Sequence, residues 1–191
     1  MNILVINGHP DPESFCSALS KAYIKGAESR SAQIRTIDLS KLSFNLNLKY
    51  GYRKRTDLEE ELVDAQDMIR WADHLVFVYP IWWGAMPAVL KGFIDRVFLP
   101  GFAFKYRENS VLWDKLLQGK SARLIVTMDT PSWYNRWIYW NAGHLVMKRN
   151  ILNFCGIKPV KVTEITPVKP STPEKRRKWL EMVQRIGEKL A

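Results

Sequence analysis

Short apolar runs alternate along the chain with segments in which apolar residues recur every three or four positions. The first pattern predicts strands, and runs without polar alternation predict strands covered on both faces. The second pattern predicts amphipathic helices. We therefore predict five strands with helices between them, the strands being at residues 2–6, 33–38, 75–79, 124–128 and 160–165.

Several helix boundaries carry signals of their own. Residues 56–59, Thr-Asp-Leu-Glu, match the capping-box pattern and predict that a helix opens there. Pro87 stands where a first helical turn would begin, and Thr172 before Pro173 predicts an N-cap followed by proline. Gly156 predicts the end of the fourth helix.

The regular alternation of strands and helices predicts the α/β class. Five strands in this order fit a flavodoxin-like, doubly wound, five-stranded parallel sheet with helices on both faces, forming a single domain over residues 1–191. In such sheets ligands bind at the carboxyl ends of the strands. The candidate site loops are therefore residues 7–17, 80–87 and 127–140, which we name loop one, loop three and loop four after their strands.

Composition and charge narrow the class further. The chain has 191 residues and a net charge of +10, and the excess lies in residues 101–191. The densest basic cluster, residues 175–178, falls on a predicted helix and indicates a solvated face, because no nucleic-acid-binding motif accompanies it. We expect no nucleic-acid partner.

Other classes are excluded by what the sequence lacks. The glycine spacings contain no dinucleotide fingerprint, Walker A loop or nucleophile elbow, and three scattered histidines predict no metal site. Cys16 and Cys155 are expected to be buried thiols of a reduced, cytoplasmic protein. No leader pattern is visible, and the apolar stretch at 75–90 is too short and too broken by Pro and Gly for stable membrane insertion.

Loop one has the composition of a phosphate site at the start of a helix. Backbone N–H groups there favour an anion, the hydroxyls of Ser14 and Ser17 are further donors, and the ring of His9 can donate a hydrogen bond. Simple N-capping of the helix by Ser14 explains part of the same pattern.

Loops three and four are rich in aromatic residues. Trp82 and Trp83, next to Gly84, need a flat ligand, a subunit interface or the protein core to cover them. Loop four adds polar groups beside further tryptophans, whose helical spacing at 133, 137 and 140 equally fits a packing stripe. A phosphate cradle, an aromatic wall and a polar third loop at one sheet edge together describe a site for a flavin nucleotide.

Two segments carry a resemblance to a known family. Residues 8–19, GHPDPESFCSAL, and residues 80–106, PIWWGAMPAVLKGFIDRVFLPGFAFKY, resemble the NAD(P)H:quinone oxidoreductases of the flavodoxin-like fold, in their compact bacterial form. The resemblance implies bound FMN, with FAD as a close alternative, and a homodimer with each flavin near the interface. It also implies ping-pong transfer of two electrons from NAD(P)H to a quinone or similar aromatic acceptor.

The same resemblance assigns residues to roles. It implies that the flavin phosphate and ribityl groups are held by His9, Ser14, Phe15, Cys16 and Ser17. It implies that the ring is lined by Pro80, Ile81, Trp82, Trp83 and Gly84, with Thr127, Met128 and Asp129 completing the cofactor site. Phe104 and Tyr106 match aromatics that cover the substrate site, usually from the partner subunit.

The chain departs from the family pattern in loop four. A Thr-Gly-Gly sequence of the family is replaced by Thr127-Met128-Asp129. Tyr134 lies where the family has a proton-relay tyrosine, and the His expected shortly after it is missing. The resemblance therefore implies Tyr134 as the one candidate catalytic side chain. Two other functions remain open: a dimeric regulatory partner of a membrane transport protein, and a flavodoxin-type electron carrier, which the basic charge disfavours.

Overall fold

The computed structural model describes residues 1–54 and 56–190, which form alternating strands and helices. In chain order they are β1 (Asn2–Asn7), α1 (Phe15–Glu28), β2 (Gln33–Asp38), α2 (Glu60–Trp71), β3 (His74–Pro80), α3 (Ala88–Val97), β4 (Phe104–Tyr106), β5 (Trp113–Lys115), β6 (Ser121–Thr127), α4 (Ser132–Trp137), α5 (Ala142–Leu145), a π-helical segment (Val146–Asn153), β7 (Val160–Ile165) and α6 (Pro173–Glu188).

Five of these strands form one parallel sheet in the order β2-β1-β3-β6-β7. Every residue of the central strand β3 is buried, which explains its continuous apolar run. Helices α1 and α6 cover one face, whereas α2, α3 and the π-helical segment cover the other. The predicted flavodoxin-like, doubly wound class is confirmed, and the five predicted strands all belong to this sheet.

Helices α1 and α6 approach each other unusually closely. A Cβ atom built on Gly26 would lie 2.0 Å from the carbonyl oxygen of Gln184, and one on Gly187 would lie 2.2 Å from that of Tyr23. No real Cβ tolerates such distances, so the contact requires glycine on both helices.

The predicted capping box at residues 56–59 is wrong. Helix α2 starts at Glu60, and Glu59 precedes it without a side-chain capping bond. The Glu59 carboxylate is instead bound by the buried guanidinium of Arg96, at 2.6 Å from Nη2. The same guanidinium donates to the carbonyl oxygens of Asn45 and Asp57, at 2.6 and 3.1 Å. Arg96 thereby joins both ends of residues 45–59, which we call the clasped loop.

Strands β4 and β5 form a small antiparallel hairpin that the sequence did not predict. Each strand has three residues, too few for a periodic signal. The hairpin is fixed by Trp113, which stacks on Phe154 with 4.4 Å between ring centroids and donates its indole N–H to the Phe154 carbonyl oxygen at 2.9 Å.

The tryptophans of loop four do not pack into the core of this chain, so the packing stripe that their spacing allowed is wrong for the single chain. Trp133, Trp137 and Trp140 are each more than half exposed. Two smaller predictions are confirmed: residues 175–178 form an exposed face of α6, and Cys16 and Cys155 are buried and free.

Among the described residues, no helix combines the length and the apolar character that crossing a bilayer requires. The same part of the chain brings no three His, Cys, Asp or Glu side chains together in a way that would hold a metal ion.

Candidate functional site

A cavity of about 180 Å³ opens where β1, β3 and β6, three neighbours in the sheet, reach their carboxyl ends. We call it the edge cavity. All three loops singled out from the sequence contribute to it. Its lining residues are His9, Phe15, Cys16, Pro80, Ile81, Trp82, Thr127, Met128, Asp129 and Val168. All of them except Val168 were predicted cofactor-site residues.

His9 stands on the loop-one side of the cavity with one ring nitrogen already used. Its Nδ1 accepts the backbone N–H of Asp11 at 3.0 Å, so in the neutral ring the proton sits on Nε2. Burial lowers the pKa of His9 although Asp11 opposes it, which favours that neutral form. The ring meets Trp82 edge-on, with 5.2 Å between centroids. His9 can therefore donate one hydrogen bond from Nε2.

Both serines of loop one hold the start of α1 and do not line the cavity. Ser14 is the N-cap and accepts the N–H of Ser17 at 3.3 Å, as the capping alternative predicted. The Ser17 hydroxyl accepts from the amide of Asn7 at 2.9 Å. The amides of Phe15 and Cys16 lie in the first helical turn, where no intrahelical acceptor exists. They remain the donors for an anion.

Cys16 forms an apolar part of the wall. Its Sγ lies 3.4 Å from the hydroxyl of Thr127, and burial raises the pKa of the thiol to about 11. The thiol is therefore protonated at neutral pH, and Cys16 acts in packing rather than as a nucleophile.

Loop three makes a tight reverse turn that separates its two tryptophans. Trp82 and Ala85 exchange both backbone hydrogen bonds, at 2.9 and 3.0 Å. The two residues between them have positive φ, +50° at Trp83 and +75° at Gly84, a conformation that glycine adopts readily and tryptophan does not. Trp82 lines the cavity, whereas Trp83 is fully exposed at the tip of the turn. Neither Trp83 nor Gly84 is among the lining residues.

Loop four is held in place by the segment that follows β7. Backbone hydrogen bonds join Met128 to Ile165 and to Val168, both at 3.1 Å. The carboxylate of Asp129 accepts the N–H of Lys169 at 2.7 Å. The sequence prediction did not include Val168, because it covered only the loops after β1, β3 and β6, whereas β7 also ends at this edge.

Three predicted site residues lie elsewhere. Tyr134 is half-buried between the rings of Trp133 and Tyr139, outside the cavity lining. Phe104 and Tyr106 lie on the β4–β5 hairpin and form an edge-on pair, with 5.2 Å between centroids. Phe104 is buried and Tyr106 is 58% exposed. Their predicted roles in catalysis and substrate binding stay predictions.

A buried polar cluster behind loop four was not expected. His144 Nε2 lies 2.7 Å from the carboxylate of Glu164, so it must carry the proton, since a carboxylate only accepts. Asn135 donates to Asn141 at 3.1 Å and to Glu164 at 3.3 Å. The hydrogen bond from His144 is the main reason why the pKa of Glu164 is lowered. The cluster ties α4 to β7; a lone histidine in the sequence gave no signal for it.

The comparisons with known proteins agree with this fold. The family model of the flavodoxin-like fold matches residues 1–190, and the chain belongs to that family. A solved structure, Smu.1420 from Streptococcus mutans UA159, is 39% identical with a TM-score of 0.86, over 99% of this chain and 100% of that one. An FMN-dependent NADH-azoreductase from Bacillus anthracis, solved in complex with FMN, is 21% identical with a TM-score of 0.77, over 100% and 99% of the two chains, and supports the fold.

Two curated relatives carry names of the family that the sequence resembles, which confirms the resemblance. Human ribosyldihydronicotinamide dehydrogenase [quinone] is 28% identical over 220 residues, 96% of this chain and 91% of that protein. A ribosyldihydronicotinamide dehydrogenase-like protein of Penicillium crustosum is 31% identical over 153 residues. The match covers 67% of this chain and 57% of the fungal protein's length.

Proposed function

We propose that this chain is a flavin-dependent NAD(P)H dehydrogenase of the quinone-reducing type, which binds FMN in the edge cavity and works in the cytoplasm. The observation that carries the proposal is the convergence of loops one, three and four on one cavity at the carboxyl edge. When bound, FMN would accept a hydride from NAD(P)H and pass two electrons to a quinone or similar aromatic acceptor, in ping-pong order.

The groups around the cavity fit a phosphorylated, planar cofactor. The first-turn amides of α1 and Nε2 of His9 are donors suited to a phosphate. The indole of Trp82 and the side chain of Ile81 offer an apolar wall for a flat ring. The buried, protonated Cys16 adds no charge that would repel the phosphate.

The visible spectrum of the purified protein tests the proposal. We expect a flavin spectrum that bleaches when NADPH or NADH is added without oxygen and returns when a quinone follows. A protein without flavin, or with a flavin that neither nucleotide reduces, would overturn it and favour the regulatory or electron-carrier alternatives. Acid release and chromatography of the cofactor decide between FMN and FAD.

We also propose a homodimer whose partner copy completes the site. The hairpin that carries Phe104 and Tyr106 does not reach the cavity of its own chain, which supports a role over the cavity of a second copy. The exposed rings of Trp83, Trp133 and Trp137 supply apolar surface that such an interface would cover. Sedimentation equilibrium measures the mass that this requires.

Trp82→Ala is expected to weaken flavin retention, because the indole forms part of the cavity wall. Losing its contact area costs about 2 kcal/mol, which is roughly a thirty-fold rise in the FMN dissociation constant. The measurement is FMN fluorescence during titration of the apoprotein.

Trp140→Ala is the matched control for that experiment, since Trp140 is 73% exposed after α4, outside the cavity lining and outside the proposed interface. Its dissociation constant should stay within about two-fold of the parent's. Equal weakening in both variants would contradict the placement of the flavin beside Trp82.

A further inference from the structure

A small basic turn, residues 48–54, lies on the surface, contributes no residue to the lining of the edge cavity and has no part in the function argued so far. Three of its cations surround one ring. The distances to the ring centroid of Tyr50 are 5.5 Å from Lys49 Nζ, 6.0 Å from Arg53 Cζ and 5.2 Å from Lys54 Nζ. All three side chains are exposed, so they are available to a ligand.

The backbone brings these cations together. The N–H of Gly51 bonds to the carbonyl oxygen of Leu48 at 2.8 Å, and that of Arg53 bonds to Tyr50 at 3.3 Å. These two overlapping turns bring residues 48–53 into a compact segment. Gly51 has a φ of +54°, which this reversal requires.

The cations of the turn lack acidic partners within the described residues. No carboxylate of residues 1–54 or 56–190 forms an ion pair with Lys49, Arg53 or Lys54. The basic face of α6 differs, because Lys178 and Arg177 there pair with acidic residues one turn away. The cations of the turn are therefore available to donate charge-assisted hydrogen bonds to an anion.

A second aromatic ring, that of Tyr52, belongs to the same turn and is 63% exposed. Burial of part of the side chain raises the pKa of Tyr52, and electrostatic interactions with Asp95 and Tyr106 add to that rise. An exposed ring next to clustered cations is the chemistry that recognises a nucleoside phosphate, since a base stacks on the ring and phosphate oxygens take the charge-assisted bonds.

We propose that the basic turn binds the phosphorylated adenosine end of NADPH, with the 2′-phosphate among Lys49, Arg53 and Lys54 and the adenine against Tyr52. This rests on the proposed function and assigns a coenzyme preference, NADPH over NADH, to the same enzyme. The turn belongs to the connection between β2 and α2, which starts at the carboxyl edge of the sheet. Its Tyr52 interacts electrostatically with Tyr106, the aromatic residue expected to cover a substrate site.

Steady-state kinetics of the purified protein test the proposal. The variant Lys49→Gln/Arg53→Gln/Lys54→Gln should raise KM for NADPH at least about ten-fold and KM for NADH less than about two-fold, with kcat unchanged for both. The matched control is Arg177→Gln/Lys178→Gln/Arg185→Gln, which removes three exposed positive charges from α6. The control should leave both KM values within about two-fold.

A binding measurement separates this inference from the proposed function. Adenosine 2′,5′-bisphosphate should bind the parent protein and the control, and bind the turn variant at least about ten-fold more weakly, by calorimetry. This readout needs no flavin reduction, so it reports on the turn even if the oxidoreductase proposal fails. Equal binding by all three proteins, or an equal rise of KM for both nucleotides, overturns the inference. Binding of a single-stranded RNA that the turn variant alone loses, without bisphosphate binding, overturns it in favour of a nucleic-acid ligand.

Discussion

Glu59→Ala is expected to lower the free energy of unfolding by about 3 kcal/mol, because it leaves the charge of Arg96 buried without its counterion. Arg96 is 2% exposed, and its remaining partners are two carbonyl oxygens of the clasped loop. This loss is at the lower end of the range for removing one partner of a buried ion pair, because the Glu59 side chain is 34% exposed. Although burial opposes the change, hydrogen bonds from the Asn45 amide and from Arg96 lower the pKa of Glu59. Urea unfolding at pH 7 measures the loss.

Glu60→Ala is the matched control, since it removes the same charge one residue later, in the first turn of α2. Glu60→Ala should lower the free energy of unfolding by less than about 1 kcal/mol, which is the usual contribution of an exposed carboxylate in a first helical turn. In an Arg96→Met background, Glu59→Ala should also cost less than about 1 kcal/mol, because the uncompensated charge is gone. Similar losses for Glu59→Ala and Glu60→Ala would refute the argument.

Acidification from pH 6.5 to pH 4 is expected to remove about 3 kcal/mol of stability through His74, since one pKa unit is worth about 1.4 kcal/mol. His74 is 3% exposed at the start of β3. Burial, together with the nearby cations Arg123 and Lys161, lowers the pKa of His74 to about 4. Between pH 6.5 and 4, His74 is protonated in the unfolded chain but largely neutral in the folded one. The free energy of unfolding therefore falls as the pH falls. Above pH 6.5 both states are neutral and the effect vanishes.

His74→Asn should remove most of this loss of stability on acidification. It also keeps a polar atom near Ser121, whose hydroxyl lies 2.7 Å from Nδ1 of His74. Urea unfolding at pH 7.5 and pH 5 gives the comparison. The carboxylates with lowered pKa, Glu59 and Glu164, act only below their ordinary value of 4.5, so they leave this interval unaffected. A variant that loses as much stability as the parent between these two pH values would contradict the assignment.

The sheet and its order were predictable because its signals are local and strong. β3 is buried on both faces and reads as an uninterrupted apolar run, and the helices that cover it keep one apolar face each. The start of α2 was not predictable in the same way. The Thr-x-x-Glu pattern at 56–59 is a local signal. The carboxylate of Glu59, which the capping box would use, instead binds Arg96, a residue distant in the sequence.

The site was predictable to the level of loops and not of side-chain direction. Strand order alone brings loops one, three and four to one edge, and nine predicted residues line the cavity there. The sequence cannot show that a reverse turn with positive φ directs Trp82 inward and Trp83 outward. It also cannot show the cluster of Asn135, His144 and Glu164, because those residues are distant in the chain and meet only through tertiary packing.

The clasped loop has a consequence for how such a protein can diversify. Because Arg96 binds the chain at Asn45, Asp57 and Glu59, these three points are fixed to α3 by the same guanidinium, whatever the sequence between them. Loop closure depends only weakly on length, so insertions, deletions and exchanges inside the clasped loop leave the sheet register undisturbed. The basic turn lies within this loop. The ligand that the basic turn recognises can therefore change through substitutions in this loop, while the residues that line the edge cavity stay the same.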